Sequence, residues 1–141
     1  MCLKVGLVLT GENLGRARAT IEGWASTTRR VRVNWEDQPP FSEAAPAAPD
    51  HLAIHLGDRE TGCSCGLAIE RPRGWRRSAM SDLSFLLSAL AAQPIKRLQL
   101  GIAWEGEDAE LEQVELSLSK FRRLVKRGAL GRNHLYTVAC V

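Results

Sequence analysis

Apolar and polar residues alternate along much of the chain, as in β-strands whose successive side chains point to opposite faces. In the segment 3–9 every odd-numbered residue is apolar, and Val8 is apolar as well. Apolar residues on both faces are typical of a strand in the middle of a sheet, so we expect 3–9 to be a central strand. The same alternation predicts further strands at 31–35, 52–56, 63–69, 98–104 and 135–141, and Val114 with Leu116 indicates a short additional strand.

Three other segments carry apolar residues at intervals of three and four, as expected of helices that bury one side. Asn13 precedes the first, Ser81 or Asp82 the second and Ser117 the third, and these residue types cap helix N-termini. Gly128 follows the third segment and predicts the end of that helix. The positions predicted to face the core are Leu14, Ala17, Ile21, Trp24, Ala25, Leu83, Leu86, Leu87, Leu90, Leu118, Phe121, Leu124 and Val125.

Turn-forming residues separate these elements. Residues 38–50 contain four of the six prolines, and that density predicts a loop. The segment 58–61 is predicted to be the turn of a hairpin between 52–56 and 63–69. The order of elements predicts an α+β fold in one domain over 1–141. We expect a mostly antiparallel sheet of about six strands with two to three helices packed on it.

The composition is that of a soluble globular domain. Of the 141 residues, 45% are hydrophobic and 25% are charged, close to the averages for such domains. No apolar run approaches the roughly 20 residues that span a bilayer, and the N-terminus lacks the features of a signal peptide. We therefore expect a cytoplasmic protein that does not insert into a membrane. Its four cysteines, Cys2, Cys63, Cys65 and Cys140, are expected to be free thiols.

Two histidines and two cysteines near the predicted hairpin are the strongest metal-ligand candidates. His51, His55, Cys63 and Cys65 are residue types that bind zinc. With a turn at 58–61, even-numbered residues before the turn and odd-numbered residues after it would face the core. Both cysteines would then point into the core while both histidines point away. We therefore predict no metal site and no cofactor.

The residues that could support catalysis are scattered along the chain. The turn 11–15 lacks the third glycine of a dinucleotide-binding loop and the Gly-Lys-Ser/Thr ending of a nucleotide-binding loop. Carboxylates follow two predicted strands, at Glu36–Asp37 and at Glu105, and would support acid–base chemistry only if they converge. The sequence places no evident base beside a cysteine. We therefore expect that the protein is not an enzyme.

Two charged segments of opposite sign are the candidate partner-binding surfaces, on a chain whose net charge is +3. Arginine and tryptophan are enriched in the residues that dominate protein interfaces, and an acidic segment would speed docking of a basic partner. The basic segment 71–77 contributes Arg73, Trp75, Arg76 and Arg77. The acidic segment 105–115 contributes Glu105, Glu107, Asp108, Glu110 and Glu112.

Three features together resemble a known group of bacterial proteins. They are the hydrophobic strand 96–104, the acidic segment 105–115, and the ending in which a helix over 117–125 precedes a strand over 135–138. This arrangement is similar to the immunity proteins of polymorphic-toxin and contact-dependent growth inhibition systems. The resemblance implies a small cytoplasmic α+β domain without an active site that binds and blocks one toxin. The net positive charge departs from the acidic character of many immunity proteins, whose nuclease partners are basic.

The leading hypothesis is therefore a protein-binding module, most concretely an immunity protein that occludes the active site of a toxin. The first alternative is a nucleic-acid-binding domain that uses the arginines and the tryptophan of 71–77. The second is a small ligand-binding domain or enzyme that uses the carboxylates at the strand ends.

Overall fold

The computed structural model describes residues 3–37, 41, 50–67, 75–104 and 111–140. Within these ranges the strands are β1 (Leu3–Gly11), β2 (Val31–Glu36), β3 (His51–Asp58), β4 (Ile95–Trp104), β5 (Glu112–Ser117) and β6 (His134–Ala139). The helices are α1 (Gly15–Thr27), α2 (Arg77–Leu90) and α3 (Leu118–Arg127), and a 3₁₀ helix, Ser64–Leu67, follows β3. The predicted α+β class is confirmed. In the part of the chain that the structure describes, every helix is too short or too polar to cross a membrane.

The six strands form one sheet in the order β2-β3-β1-β4-β6-β5. Only the pair of β5 and β6 is parallel among these strands, and the other four pairs are antiparallel. Adjacent parallel strands need a crossover connection, and α3 supplies it between β5 and β6. Because β3 lies between them, β1 and β2 run in the same direction without pairing.

The main core lies between the sheet and the three helices. Leu7 of β1 sits between Ile54 of β3 and Leu100 of β4 in the sheet, and each of these side chains is at most 1% exposed. The helices cover this face with the residues whose spacing predicted an inward orientation. Those that are fully buried are Ala17, Ile21, Trp24, Leu83, Leu86, Leu87, Leu90, Phe121 and Val125.

A second apolar cluster covers the opposite face of the sheet. Its members are Val8, Phe41, Ala53, Ala103, Leu111 and Leu135. Gly6 and Gly101 pair across β1 and β4, and a Cβ atom on Gly101 would lie 2.3 Å from the ring of Phe41. The ring therefore occupies space that only a glycine in the strand can leave open. This contact explains why Val8, on the face away from the helices, is apolar.

The third helix begins and ends where the sequence predicts. The Ser117 hydroxyl accepts a hydrogen bond from the backbone N–H of Lys120 at 3.3 Å. At the other end Gly128 adopts a left-handed conformation with φ of 61°, which glycine reaches without steric cost. Local sequence signals thus determine both ends of α3.

The predicted caps of the other two helices are wrong. Leu14, and not Asn13, precedes the first residue of α1, and it makes no side-chain cap. Helix α2 begins at Arg77, one turn before the predicted start, so Ser81 and Asp82 lie inside the helix. The physical reason is tertiary packing: the extra turn adds buried apolar residues, and the Asp82 carboxylate accepts a hydrogen bond from the Thr28 hydroxyl instead of capping.

The predicted hairpin between 52–56 and 63–69 is also wrong. After β3 the Asp58 carboxylate accepts backbone N–H groups of Glu60 and Thr61, and the chain then enters the 3₁₀ helix. Both edges of β3 are already occupied, one by β1 and the other by β2. A return strand therefore has no edge of β3 left to pair with.

Substitution of Phe41 tests the second apolar cluster. We expect Phe41→Ala to lower the free energy of unfolding by about 3–5 kcal/mol, because it removes a buried aromatic side chain and leaves a cavity over Gly101. Urea denaturation measures this change. The matched control is Phe85→Ala, which removes a 71% exposed phenylalanine and should change stability by less than about 0.5 kcal/mol. Equal small losses for both variants would show that Phe41 does not pack against the sheet.

Candidate functional site

The structure describes only some of the residues that are predicted to bind a partner. Arg73 of the basic segment lies outside the described residues, as do Glu105, Glu107, Asp108 and Glu110 of the acidic segment. Of the rest, Arg76 and Arg77 are exposed at the start of α2. Trp75 is only 8% exposed, and its indole N–H donates to the Leu130 carbonyl at 2.9 Å. Glu112 is exposed on β5, where its carboxylate lies 2.9 Å from His134 Nε2.

The four metal-ligand candidates are not placed as predicted. The cysteines do not face the core: Cys63 is half-buried and Cys65 is exposed, because residues 64–67 form a 3₁₀ helix in which strand parity does not apply. His51 and His55 do lie on the sheet face away from the helices, three residues and one residue from buried Ile54 respectively. Among the described residues no three His, Cys, Asp or Glu side chains are grouped so that they could hold a metal ion.

The described cysteines are free thiols in different surroundings. The Cys65 sulfur accepts the backbone N–H of Leu3 at 3.1 Å. Cys140 is half-buried, and burial raises the pKa of its thiol above the ordinary value of 9.0, which disfavours the reactive thiolate. Cys2 lies outside the described residues.

A serine, a histidine and an asparagine form a hydrogen-bonded chain that resembles a catalytic arrangement. His55 Nε2 lies 3.0 Å from the Ser64 hydroxyl oxygen, and His55 Nδ1 lies 3.4 Å from the Asn34 side-chain nitrogen. The Ser64 hydroxyl also accepts the Val5 N–H at 2.9 Å and donates to the Leu56 carbonyl. Every atom is satisfied when Nε2 of a neutral His55 carries the proton.

The hydrogen-bonded set of Ser64, His55 and Asn34 has the properties of a structural contact. Ser64 is completely buried, and its only proton is donated to a backbone carbonyl, so the oxygen is neither accessible to a substrate nor activated by His55. The three residues instead join β2, β3 and the 3₁₀ helix.

The two strand ends that carry or precede the candidate carboxylates lie at opposite ends of the sheet. Glu36 ends β2 and lies with exposed Asp37 at the end of the sheet where β4 begins. Trp104, which precedes Glu105, pairs with Leu3 at the opposite end of the sheet. The sheet topology therefore holds these two strand ends apart instead of bringing them together. Glu105 itself lies outside the described residues.

A wide concave surface lies on the helical layer. A groove of about 900 Å³ runs between α2 and the C-terminal ends of α1 and α3; we call it the Phe85 groove. Trp24, Trp75 and Met80 are buried and line it. Both indoles are held in place, because Trp24 Nε1 donates to the Asp82 carbonyl at 2.8 Å and Trp75 Nε1 donates to Leu130. The groove therefore has preformed, partly aromatic walls.

Phe85 lies at the margin of this groove and is 71% exposed, more than any other large hydrophobic side chain in the described residues. Its neighbours Leu83, Leu86 and Leu87 fill the buried side of α2, so Phe85 projects from the other side. A single exposed apolar residue is common on protein surfaces. Its position beside a groove walled by two tryptophans makes it a suitable anchor for a partner.

The helical layer around the groove is strongly basic. Within α2 and α3 six cationic side chains stand against one carboxylate, Asp82, which is engaged by Thr28. The Arg122 guanidinium donates to the Ser88 hydroxyl at 2.7 Å and so connects α3 to α2. We call this set the basic helical surface: Arg77, Lys120, Arg122, Arg123, Lys126 and Arg127.

The sequence does not reveal this groove, because its lining residues come from three helices that are distant along the chain. Phe85 alone interrupts the regular apolar spacing of α2. An exposed phenylalanine outside that spacing was the available signal. No family model, curated protein or solved structure matches the chain. The function is therefore inferred from the chain's own surface.

The pH dependence of the free energy of unfolding tests the hydrogen-bonded arrangement of Ser64, His55 and Asn34. Burial is the main effect on the pKa of His55 and lowers it below the ordinary 6.5; the Glu36 charge opposes this change and the Lys4 charge adds to it. Below about pH 6.5 the unfolded chain binds a proton that the folded protein does not, so the free energy of unfolding must fall as pH decreases through this window. We expect the wild type to lose more stability than His55→Gln between pH 7.5 and 5.5 in urea denaturation. Identical pH profiles would contradict the assignment.

Proposed function

We propose that this protein acts by binding another protein through its helical layer, as an immunity protein that neutralises a bacterial toxin by occluding the active site. The observation that carries the proposal is the exposed Phe85 at the edge of a preformed groove within a basic surface. These features supply an apolar anchor, a concave receptor surface and a charge of one sign.

The apolar anchor supports tight binding. Removing an exposed phenylalanine side chain from water contributes about 1.5–3 kcal/mol, which corresponds to about ten- to hundredfold in affinity. The surrounding groove is walled by Trp24 and Trp75, whose rings are fixed by hydrogen bonds to backbone carbonyls. Because these rings are already ordered, binding of a partner to this surface costs little conformational entropy.

The charge of the helical layer indicates the chemistry of the partner. Helices α2 and α3 carry six cations, of which Arg77, Lys126 and Arg127 line the groove, so a partner with an acidic surface and an apolar recess for Phe85 would be complementary. A toxin with acidic residues around its active site fits this description better than a basic nuclease does. The positive net charge of +3, which departs from many immunity proteins, then follows from the charge of the partner.

The rigidity of the layer supports inhibition by occlusion. Helices α1 and α2 are joined by the contact of Trp24 with Asp82, and α2 and α3 by that of Arg122 with Ser88. A rigid and basic surface seated over an acidic active site excludes substrate without any chemical step by this protein. We place this action in the cytoplasm, where the free thiols Cys63, Cys65 and Cys140 remain reduced.

Nucleic-acid binding is the second candidate, favoured by the same cations. Lys and Arg side chains on α2 and α3 could contact phosphates, and Phe85 could stack on a base. The tryptophan of 71–77 gives this candidate less support, because Trp75 is buried and holds the Leu130 carbonyl. Nuclease treatment of the isolated complex distinguishes the two candidates, because it would dissociate a complex with nucleic acid and not a complex with a protein.

Variants of the groove test the protein-binding proposal. The tagged chain, expressed at native level in its source cells, should copurify with one protein in stoichiometric amount, and expression of that protein alone should be toxic. With both proteins purified, we expect Phe85→Ala to weaken binding by about ten- to hundredfold. Lys126→Glu with Arg127→Glu should weaken binding and reduce its dependence on salt concentration.

The matched control is Arg16→Glu, a charge reversal at an exposed position of α1 that does not line the groove. It should change the affinity by less than about threefold. A partner that binds the groove variants as tightly as the wild type would contradict the proposal, as would the absence of any stoichiometric protein partner. A complex that dissociates on nuclease treatment would favour the nucleic-acid candidate instead.

A further inference from the structure

A second pocket lies at the other end of α3, away from the Phe85 groove. It has a volume of about 630 Å³ and is formed where β4, β6 and β5 run side by side. In these strands Arg97 is opposite Ala139, and Ala139 is opposite Ser117. Adjacent strands are about 4.8 Å apart, so Arg97 and Ser117 face each other across roughly 10 Å over the small side chain of Ala139.

Arg97 has unused binding capacity in this pocket. Its Nε atom is buried and has no hydrogen-bond partner in the structure, and none of the ion pairs among the described residues involves its guanidinium. A buried donor without a partner costs about 1–3 kcal/mol, and more when it is charged. Such an atom in a folded protein requires a water molecule or an ion as partner. Arg97 is half-buried and lines the pocket, so an anion there would supply both a hydrogen-bond acceptor and an opposite charge.

Other residues that line the pocket present further donors. The Thr137 hydroxyl accepts from Gln99 at 3.3 Å and retains its proton for donation into the pocket. The Ser117 hydroxyl accepts from Lys120 N–H and lies 3.3 Å from the Ser119 hydroxyl, and its proton is available to the pocket when Ser119 is the donor in that contact. The ammonium group of Lys120 adds a second cation. Ser117 lies on β5, two strands from Arg97, and Thr137 lies on β6, the strand between them.

Besides Arg97 and Lys120, the pocket is lined by one paired cation and one carboxylate. Lys96 is paired with Glu12 at 2.9 Å, so its charge is already compensated. Glu115, opposite Thr137 in the sheet, is the one acid among the lining residues. Two uncompensated cations, Arg97 and Lys120, therefore face one carboxylate, which leaves the pocket net positive.

We propose that this pocket binds the phosphate group of a small molecule. The planar guanidinium of Arg97 donates two parallel hydrogen bonds to an oxyanion, and a tetrahedral phosphate retains oxygens that point toward Ser117, Thr137 and Lys120. A carboxylate has two oxygens in one plane and reaches only one wall. The volume also leaves room for the organic part of a phosphate ester. None of the residues lining this pocket lines the Phe85 groove, so the proposal is independent of partner binding there.

Titration of the labelled full chain with inorganic phosphate, followed by NMR at constant ionic strength, tests the proposal. We expect saturable shifts of the Arg97 side-chain NεH signal and of the Thr137 backbone amide, with a dissociation constant on the order of 1 mM. Acetate at the same concentration should bind at least about fivefold more weakly, because it engages one wall only. Shifts that grow linearly without saturation would overturn the proposal, and acetate binding as tight as phosphate would overturn the assignment to phosphate.

Arg97→Gln should weaken phosphate binding by about tenfold or more, and Lys120→Gln by about threefold. The matched control Arg123→Gln removes an exposed arginine of α3 that does not line the pocket, and it should leave binding unchanged. The Arg97 guanidinium takes part in no ion pair among the described residues, and its buried Nε has no hydrogen-bond partner, so Arg97→Gln should melt close to the wild-type temperature. If that variant nevertheless fails to fold, the Lys120→Gln result decides. Phosphate binding that none of these substitutions alters would overturn the proposal.

Discussion

The pairing of β1 with both β3 and β4 is the constraint on which the rest of this structure depends. The odd-numbered residues of β1 face the helices, while Val8 faces the second apolar cluster around Phe41. A slip of one residue would exchange these two faces and expose both sets of apolar side chains. The register therefore fixes the positions of all three helices over the sheet, and with them the groove between those helices.

The helical layer separates apolar and charged functions between its two sides. Its inner side contributes Leu86, Leu87, Phe121 and other buried residues to the core, whereas its outer side carries the basic helical surface. Phe85 is the exception to this separation. In the proposed function, this exposed apolar residue next to fixed indoles and amid cations is the anchor for association. The rigidity of the groove is what the proposed occlusion would require.

Much of the fold could be predicted from the sequence because its signals are local. Alternation identified β1, β2, β3 and most of β4, and helical spacing identified the buried sides of the three helices. Ser117 and Gly128 fixed α3 through contacts within a few residues of themselves. The hairpin after β3 could not be excluded, because the strands that occupy both edges of β3 are distant in sequence. The cap predicted at Asp82 failed for a similar reason, since Thr28 on another element binds that carboxylate.

The candidate sites depended even more on long-range packing. Trp75 reads as part of an exposed basic loop, yet the structure buries it against Leu130. Phe41 lies in a proline-rich segment without periodicity, and only the glycines of β1 and β4 signal that a ring could lie against the strands. The Arg97 pocket requires the pairing of β4 with β6 and of β6 with β5, neither of which follows from spacing along the chain.

The central claim, that a partner protein binds the helical layer at the Phe85 groove, is tested most directly by hydrogen exchange of the chain alone and in complex with its purified partner. The account predicts slower exchange in the complex for backbone amides of α2 and the C-terminal half of α3. Amides of β5 and of the 3₁₀ helix Ser64–Leu67, which do not line the groove, should exchange at unchanged rates. Protection confined to those elements, with α2 and α3 exchanging as in the free protein, would contradict it.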